Sequence, residues 1–254
     1  MGRIVAVANQ KGGVGKTTTA INLGASLAAL DRRVLLVDLD PQANATSGLG
    51  FGKREEGVNA YGVLMGESAL FAVRPTAFPN LSLLPSSRDL VGAEIELVPR
   101  PDREQSLRIA LEAVREDYEF LLVDCPPSLS LLTVNALTAA DSVLVPMQTE
   151  YFALEGVTEL LDTLERVRDA FNPLLSVEGI VLTLYDERTN LARQVTEDIR
   201  RHLGKLVYET VIPRNVRLGE APSFGKPVLA YDIKSRGAEA YLALAREFLR
   251  RGAK

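Results

Sequence analysis

The chain has 254 residues, of which 46% are hydrophobic and 24% are charged, and this size and composition suit a single α/β domain, residues 1–254. The single cysteine, Cys125, excludes an intramolecular disulfide and cannot supply the ligands of an iron–sulfur cluster shared between subunits. No apolar run approaches the roughly 20 residues of a membrane span, and the N-terminus leads into a predicted strand without a signal-peptide pattern. We therefore expect a cytoplasmic protein.

The net charge of −4 hides an uneven distribution along the chain. Residues 187–254 carry 14 Lys/Arg and 8 Asp/Glu, a net charge of +6, so residues 1–186 carry −10. A basic C-terminal quarter on an acidic protein is typical of a surface that binds a polyanion, but solvated helix faces have a similar composition. The charge count alone leaves both interpretations open.

Apolar runs that predict strands alternate along the chain with helical patterns. The strands are predicted at residues 4–8, 33–38, 81–85, 120–124, 142–146, 177–183 and 206–212. The helices are predicted at residues 17–30, 103–116, 130–139, 154–171, 191–203 and 236–251. Residues 43–79 are expected to hold short helices without defined bounds, and residues 213–227 to form a long loop. The alternation predicts an α/β fold with a mostly parallel twisted sheet of about seven or eight strands and helices on both faces.

A glycine-rich loop, residues 9–19, lies between the first predicted strand and the first predicted helix, which is the context of a P-loop NTPase. Its glycines allow successive backbone N–H groups to close on a polyphosphate, Lys16 can neutralise the outer oxygens, and the Thr17 hydroxyl can ligate Mg²⁺. The loop therefore predicts a nucleotide site. Its predicted contacts are Lys11, Gly12, Gly13, Val14, Gly15, Lys16, Thr17 and Thr18.

The loop departs from the usual P-loop pattern at two neighbouring positions. Gln10 stands where the first glycine of that pattern belongs, and a second lysine, Lys11, follows it. Lys11 and Lys16 would crowd each other on the same phosphates. A reach of Lys11 into the site of a second subunit is therefore physically sensible.

Carboxylates end two of the predicted buried strands. Asp124 is placed to hold the Mg²⁺ shell, although an acid at this position can also cap the following helix. Asp38 and Asp40 end the neighbouring strand and, as alternate residues, point to opposite faces, so they should have different roles. A carboxylate at this position, one strand over from the loop, can orient the attacking water in hydrolysis.

Five blocks of sequence resemble the chromosomal ParA/Soj proteins, within the ParA/MinD group of P-loop ATPases that carry a deviant Walker A motif. The blocks are residues 9–19, 40–50, 124–129, 150–156 and 212–227. The resemblance implies an ATP hydrolase that uses Mg²⁺, in which Lys11 acts across a dimer interface and Asp40 is required for hydrolysis. The predicted catalytic residues are Lys11, Lys16 and Asp40, and the predicted metal site is formed by Thr17, Asp38 and Asp124.

The same resemblance implies partners. An ATP-bound sandwich homodimer would bind duplex DNA without sequence specificity. It would release the DNA after slow hydrolysis stimulated by a ParB/Spo0J-like centromere-binding protein, in chromosome or plasmid partition on the nucleoid. Arg217 matches a DNA-contacting arginine of the family, and Arg193, Arg200 and Arg201 lie on a predicted helix that can contribute.

Two further positions concern the nucleotide site. Pro213 and Asn215 lie in a segment that resembles the adenine-contacting loop of the family, where proline offers an apolar face and asparagine a donor and an acceptor; a simple turn is the alternative. Ala43 stands where the family usually has glycine. If that position needs a positive φ, alanine costs on the order of 1 kcal/mol and could disturb Asp40; if φ is negative, the change is nearly silent.

Other functions remain to be weighed against partition. A MinD-like protein would attach to membranes through the basic amphipathic helix at 236–251, but that helix is expected to cover the sheet, so membrane binding is not favoured. A metabolic P-loop synthetase would work at a rate independent of DNA, and a binding scaffold would not release phosphate. Cys125 is expected to be a core thiol and His202 a surface residue.

Overall fold

The computed structural model describes residues 1–52, 56–150 and 153–252, with the backbone alone for residues 153–155. Tyr151 and Phe152, which belong to the fourth sequence block, therefore lie outside the described residues. Eight strands lie in the described part of the chain. They are β1 (Arg3–Val7), β2 (Val34–Asp38), β3 (Arg74–Pro75), β4 (Leu81–Leu84), β5 (Phe120–Asp124), β6 (Ser142–Gln148), β7 (Ser176–Tyr185) and β8 (Val207–Pro213).

Twelve α-helices connect and cover these strands within the same described ranges. They are α1 (Lys16–Ala28), α2 (Asn44–Gly48), α3 (Ala60–Leu64), α4 (Ala69–Ala72), α5 (Leu90–Glu96), α6 (Ser106–Glu112), α7 (Leu131–Ala139), α8 (Ala153–Ala170), α9 (Asn190–Leu203), α10 (Val216–Glu220), α11 (Val228–Tyr231) and α12 (Arg236–Gly252). Short 3₁₀ helices occupy Arg115–Asp117, Gly204–Leu206 and Ala221–Phe224.

The strands form one sheet in the order β3-β4-β2-β5-β1-β6-β7-β8. Every neighbouring pair is parallel except β3 and β4, which are antiparallel. The predicted mostly parallel sheet with helices on both faces is therefore confirmed. Strand β3 was not predicted, because two residues, one of them Pro75, are too short to show an apolar period.

Apolar side chains fill a layer on each face of the sheet. Helices α3 to α9 contribute to one layer, and α1, α2 and α10 to α12 contribute to the other. The apolar face of α12 is fully buried there through Tyr241, Leu244 and Phe248. This helix covers the sheet beside α1 and β8, as the sequence predicted. Within the described residues, no helix is both long and apolar enough to cross a bilayer.

The prediction of a long loop at residues 213–227 is wrong, because this segment is largely helical. It contains α10 and the 3₁₀ helix Ala221–Phe224, and α11 follows directly. Asn215 begins α10 by accepting a hydrogen bond from the backbone N–H of Arg217, 3.0 Å away. Elements of four or five residues complete barely one turn, so they leave no helical period in the sequence. For the same reason α2, α3 and α4 could be expected within residues 43–79 but not placed.

The parallel strands bring distant loops together at the carboxyl edge of the sheet. Val7 at the end of β1 is in register with Asp124 at the end of β5, and Asp124 is in register with Asp38 at the end of β2. The glycine-rich loop and the two acids thus meet at the centre of the sheet.

Candidate functional site

The glycine-rich loop takes a conformation that requires glycine at two positions. Gly13 has φ +76° and Gly15 has φ +84°, both in the left-handed region. Methyl groups added to Gly12 or Gly13 would meet no heavy atom within 4 Å. The loop is therefore open on the side where a polyphosphate would lie, and Gly15 leads directly into α1.

The two lysines of the loop occupy different environments. Lys16 is buried, with 7% of its surface exposed, and its ammonium group donates a hydrogen bond to the carbonyl oxygen of Lys11 at 2.9 Å. Burial lowers the pKa of Lys16, although Asp124 and Asp40 oppose this effect. The Lys11 side chain is 53% exposed and forms an ion pair with Glu150. Lys16 points into the fold, whereas Lys11 remains at the surface, which agrees with separate roles.

Contacts across the sheet hold the irregular start of the loop. Asn9 donates to the carbonyl of Pro146 at 2.8 Å and accepts from the backbone N–H of Lys11 at 2.9 Å. Gln10 donates to the hydroxyl of Thr163 on α8 at 3.1 Å. The residue that replaces the usual glycine therefore fastens the loop to α8, a role that sequence reasoning missed.

Asp124 is a buried carboxylate whose oxygens accept no hydrogen bond of ordinary length and angle from the described residues, although the Thr17 hydroxyl is near enough to lower its pKa. It is fully buried at the end of β5. Burial and the neighbouring Asp38 raise the pKa of Asp124 well above its usual range, while Thr17 and Lys16 partly oppose them. Such an acid is suited to a hard cation, because oxygen ligands and a nearby hydroxyl are what Mg²⁺ prefers.

Asp38 has a different environment, although it lies beside Asp124. One of its oxygens accepts hydrogen bonds from both the backbone N–H and the hydroxyl of Thr46, each at 2.7 Å, and the other accepts from the backbone N–H of Asp40 at 3.2 Å. Burial raises the pKa of Asp38 to about 6, and the bonds from Thr46 limit the rise. The structure thus gives Asp38 a clear role in holding the loop after β2, and its place in the metal shell stays a prediction.

Asp40 lies in this loop at the carboxyl edge and is 7% exposed. Its carboxylate accepts a hydrogen bond from the backbone N–H of Gln42 at 2.9 Å, and its carbonyl accepts from the hydroxyl of Ser86 at 2.6 Å. Ser86 also donates its backbone N–H to the Thr46 hydroxyl at 2.9 Å. The segments after β2 and β4 therefore position Asp40 together.

Ala43 is in the left-handed region, with φ +52° and ψ +42°, and it is fully buried. Of the two cases considered from the sequence, the structure has the strained one. Ala43 donates its N–H to the carbonyl of Asp40 at 2.8 Å, and its own carbonyl accepts from the backbone N–H of Ser47 at 3.1 Å. These bonds keep alanine in a conformation that glycine adopts without cost.

A cavity of about 270 Å³ opens beside the glycine-rich loop. Gly15 and Thr18 line it on one side and Asn215 on another, with Leu184 and Leu218 as apolar walls. Leu184 has φ +51°, a strained conformation that the sequence did not reveal. The side-chain oxygen Oδ1 of Asn215 also caps α10, a role that the prediction did not include.

Pro213 lies in a neighbouring cavity of about 320 Å³, which shares Arg214 with the first. The structure therefore brings Asn215, but not Pro213, to the cavity beside the loop. The predicted contact between Pro213 and the base stays a prediction.

The four arginines predicted to bind DNA do not lie together in one chain. Arg193 is in the first turn of α9, and Arg217 is on α10 at the same edge of the sheet as the nucleotide site. Arg200 and Arg201 lie two turns farther along α9, and Arg200 donates to the carbonyl of Glu209 near the start of β8. There Arg200 lines a separate cavity of about 920 Å³.

Cys125 and His202 lie where the sequence predicted them, in the core and at the surface. Cys125 is fully buried in the core, and burial raises the pKa of its thiol. His202 is exposed, and its Nδ1 is 2.7 Å from the carbonyl oxygen of Asp198 on the same helix.

Comparison with known proteins identifies relatives over the whole chain. Residues 2–177 match the family model described as an AAA domain. The chromosome partitioning protein ParA of Caulobacter vibrioides is 57% identical over 252 residues, which are 98% of this chain and 94% of that protein. The sporulation initiation inhibitor protein Soj of Bacillus subtilis is 54% identical over 253 residues, 99% of this chain and all of that protein.

A solved structure shares both fold and sequence with this chain. It is described as cobyrinic acid a,c-diamide synthase from Mycobacterium smegmatis with bound ADP and magnesium. The TM-score is 0.87 at 41% identity, and the match covers all of this chain and 96% of that chain. The similarity to partition proteins extends over nearly the full length of the chain, and the glycine loop and the acids at the ends of β2 and β5 are consistent with it. The chain therefore belongs to the ParA/Soj family of P-loop ATPases.

Proposed function

We propose that this protein is an ATP-driven switch that binds DNA as a dimer and releases it after hydrolysis, in chromosome or plasmid partition. The observation that carries the proposal is that a buried lysine and a buried acid lie at the same glycine loop. Lys16 and Asp124 lie beside a glycine loop that is open toward solvent, while Lys11 stays at the surface. A single chain offers a second lysine that its own site does not use.

ATP and Mg²⁺ fit this site on the chemistry of its side chains. The backbone of residues 12–18 and Lys16 would hold the phosphates, and the hydroxyl of Thr17 with the carboxylate of Asp124 would hold Mg²⁺. The oxygens of Asp124 support this assignment, because a buried carboxylate that accepts no hydrogen bond of ordinary length and angle from the described residues favours a cation. When bound, Mg²⁺ neutralises charge on the phosphates. The cavity at Asn215 would take the base.

Asp40 is the residue we assign to hydrolysis. Its loop position is fixed by Gln42 and Ser86, so its carboxylate can hold a water in a constant orientation. Lys16 stabilises the negative charge that develops on the phosphates. Among the described residues, the glycine loop contains no arginine to complete this stabilisation. Hydrolysis is therefore expected to be slow alone and to increase with a ParB/Spo0J-like partner.

Lys11 would link nucleotide binding to dimerisation. It leaves its ion pair with Glu150 and binds the phosphates held by the second subunit. Sedimentation velocity tests this step: native protein is expected to dimerise with ATP, and Lys11→Ala to remain monomeric. A control variant, Lys205→Ala, removes an exposed lysine at the opposite edge and should dimerise normally. Normal dimerisation of Lys11→Ala would contradict the role of Lys11.

The phosphate-release rate separates this function from the alternatives. Partition activity predicts slow release that rises when duplex DNA and the amino-terminal segment of the cognate ParB-like protein are both present. A metabolic synthase, the class named for the solved structural relative, predicts a rate that DNA does not change. A scaffold predicts no release in a single turnover.

A further inference from the structure

Arg217, the arginine assigned to DNA, is already paired with two carboxylates of its own chain. Its Nη1 lies 2.7 Å from an oxygen of Glu220, and its Nε lies 3.2 Å from an oxygen of Asp232. The same Glu220 oxygen accepts a hydrogen bond from the hydroxyl of Tyr231 at 3.2 Å. The Glu220 hydrogen bond raises the pKa of Arg217 and lowers that of Glu220, so both groups are charged at neutral pH.

We infer that Glu220 and Asp232 form an acidic clasp that keeps Arg217 from the DNA backbone until nucleotide binds. The inference rests on the proposed function, because it concerns access to the DNA surface assigned there. A guanidinium held by two carboxylates must lose those contacts before it binds a phosphate, and the carboxylates themselves repel the phosphates. All three side chains are partly exposed, from 34% to 49%, so the pairs exchange readily with solvent.

The two sides of the clasp are attached to different parts of the nucleotide site. Arg217 and Glu220 lie on α10, where the backbone N–H of Arg217 donates to the side chain of Asn215, a residue that lines the base cavity. Asp232 follows α11, whose first residue, Val228, donates its N–H to Asn22 on α1 at 2.7 Å. Asn22 in turn donates to the carbonyl of Thr18, also at 2.7 Å.

This arrangement couples the clasp to the nucleotide. A base that enters the cavity contacts the start of α10, while phosphates contact the start of α1, to which α11 is bound. A shift of α10 relative to α11 would separate Arg217 from Asp232 and leave it paired with Glu220 alone, an exposed pair that a DNA phosphate can displace. The clasp thus provides a route by which ATP exposes a DNA-binding cation, in addition to forming a dimer.

The test compares DNA binding without nucleotide in native protein and in the double variant Glu220→Gln/Asp232→Asn. The probe is a fluorescently labelled duplex of scrambled sequence, followed by anisotropy. The double variant is expected to bind roughly tenfold more tightly than native protein, with a slope of log K against log salt that is steeper by about 0.9 for the added phosphate contact. The variant Glu112→Gln/Glu116→Gln changes the net charge equally at exposed positions outside this region and should leave binding unchanged.

A second comparison shows whether the gain acts through Arg217. In an Arg217→Gln background, the clasp substitutions should give no gain, since the released cation is absent. If the clasp substitutions still increase DNA affinity in this background, the increase comes from the change in net charge, and the clasp is overturned. An unchanged DNA affinity of the double variant would also overturn it. If native protein fails to bind duplex DNA even with ATP, the proposed function and the clasp both fail. If native protein binds with ATP but the double variant gains nothing without it, the clasp alone fails.

Discussion

Replacing Thr46 by valine tests the hydrogen bonds that hold Asp38 and Ser86 together. The Thr46 hydroxyl is fully buried, donates to the Asp38 carboxylate at 2.7 Å and accepts from the Ser86 N–H at 2.9 Å. Valine has the same shape, so it opens no cavity. Loss of a bond to a charged acceptor costs about 1.5–3 kcal/mol, and an unsatisfied buried N–H costs about 1–3 kcal/mol. Thr46→Val should therefore lower the free energy of unfolding by about 2.5–6 kcal/mol.

Equilibrium urea unfolding at about pH 8, where Asp38 is ionised, measures this loss. The control is Thr46→Ser, which keeps the hydroxyl and removes one methyl group, at a cost of roughly 1 kcal/mol. Because Ser86 also binds the carbonyl of Asp40, Thr46→Val should slow hydrolysis more than Thr46→Ser does. Equal stability of the two variants would refute the reasoning, since it would mean that the hydroxyl bonds contribute nothing.

Three further predictions follow from single residues. Burial raises the pKa of Asp38 to about 6, so the folded state holds this proton more tightly than the unfolded state; the resulting stability is present below about pH 4 and is lost as pH rises through about 6. In Asp38→Asn, urea unfolding between about pH 4 and pH 7 should lack this loss, and an unchanged pH dependence would exclude it. At Ala43, glycine should change the unfolding free energy by less than about 1 kcal/mol, because relief of strain offsets the lost methyl burial, whereas valine should cost more than about 2 kcal/mol; a harmless valine would contradict the left-handed conformation. Glu150→Gln should release Lys11 and lower the protein concentration needed for ATP-dependent dimerisation in sedimentation, with unfolding changed by less than about 1 kcal/mol because the pair is half-exposed; no shift in dimerisation would show that the pair does not restrain Lys11.

The sequence was sufficient for the features that depend on local pattern and parallel topology. Lys16 follows a strand and glycines, and Asp124 ends a buried apolar run, so the sequence alone places both at one edge of the sheet. For Ala43 the sequence left two cases, a positive φ with a cost in free energy and a negative φ without one, and the structure has the positive φ.

The features that the sequence did not reveal depend on contacts between distant residues. Lys11 and Glu150 are separated by 139 positions, and Gln10 and Thr163 by 153, so no local pattern indicates either pair. Helix α10 is held by the cap at Asn215 and by its neighbours rather than by an apolar period. The ion pairs of Arg217 could not be predicted for a related reason. The charge count of residues 187–254 includes Glu220 and Asp232 but does not show which residues they contact.

The most direct test of the proposed switch follows DNA release and phosphate release in the same single turnover. Protein with ATP is bound to a labelled duplex, mixed with the ParB-like segment, and monitored by anisotropy and a phosphate sensor. We expect native protein and the exposed-site control Asp102→Ala to release DNA as phosphate appears, and Asp40→Ala to remain on DNA without phosphate release. Release of DNA by Asp40→Ala at the native rate would contradict the account, because hydrolysis would then not be what frees the DNA.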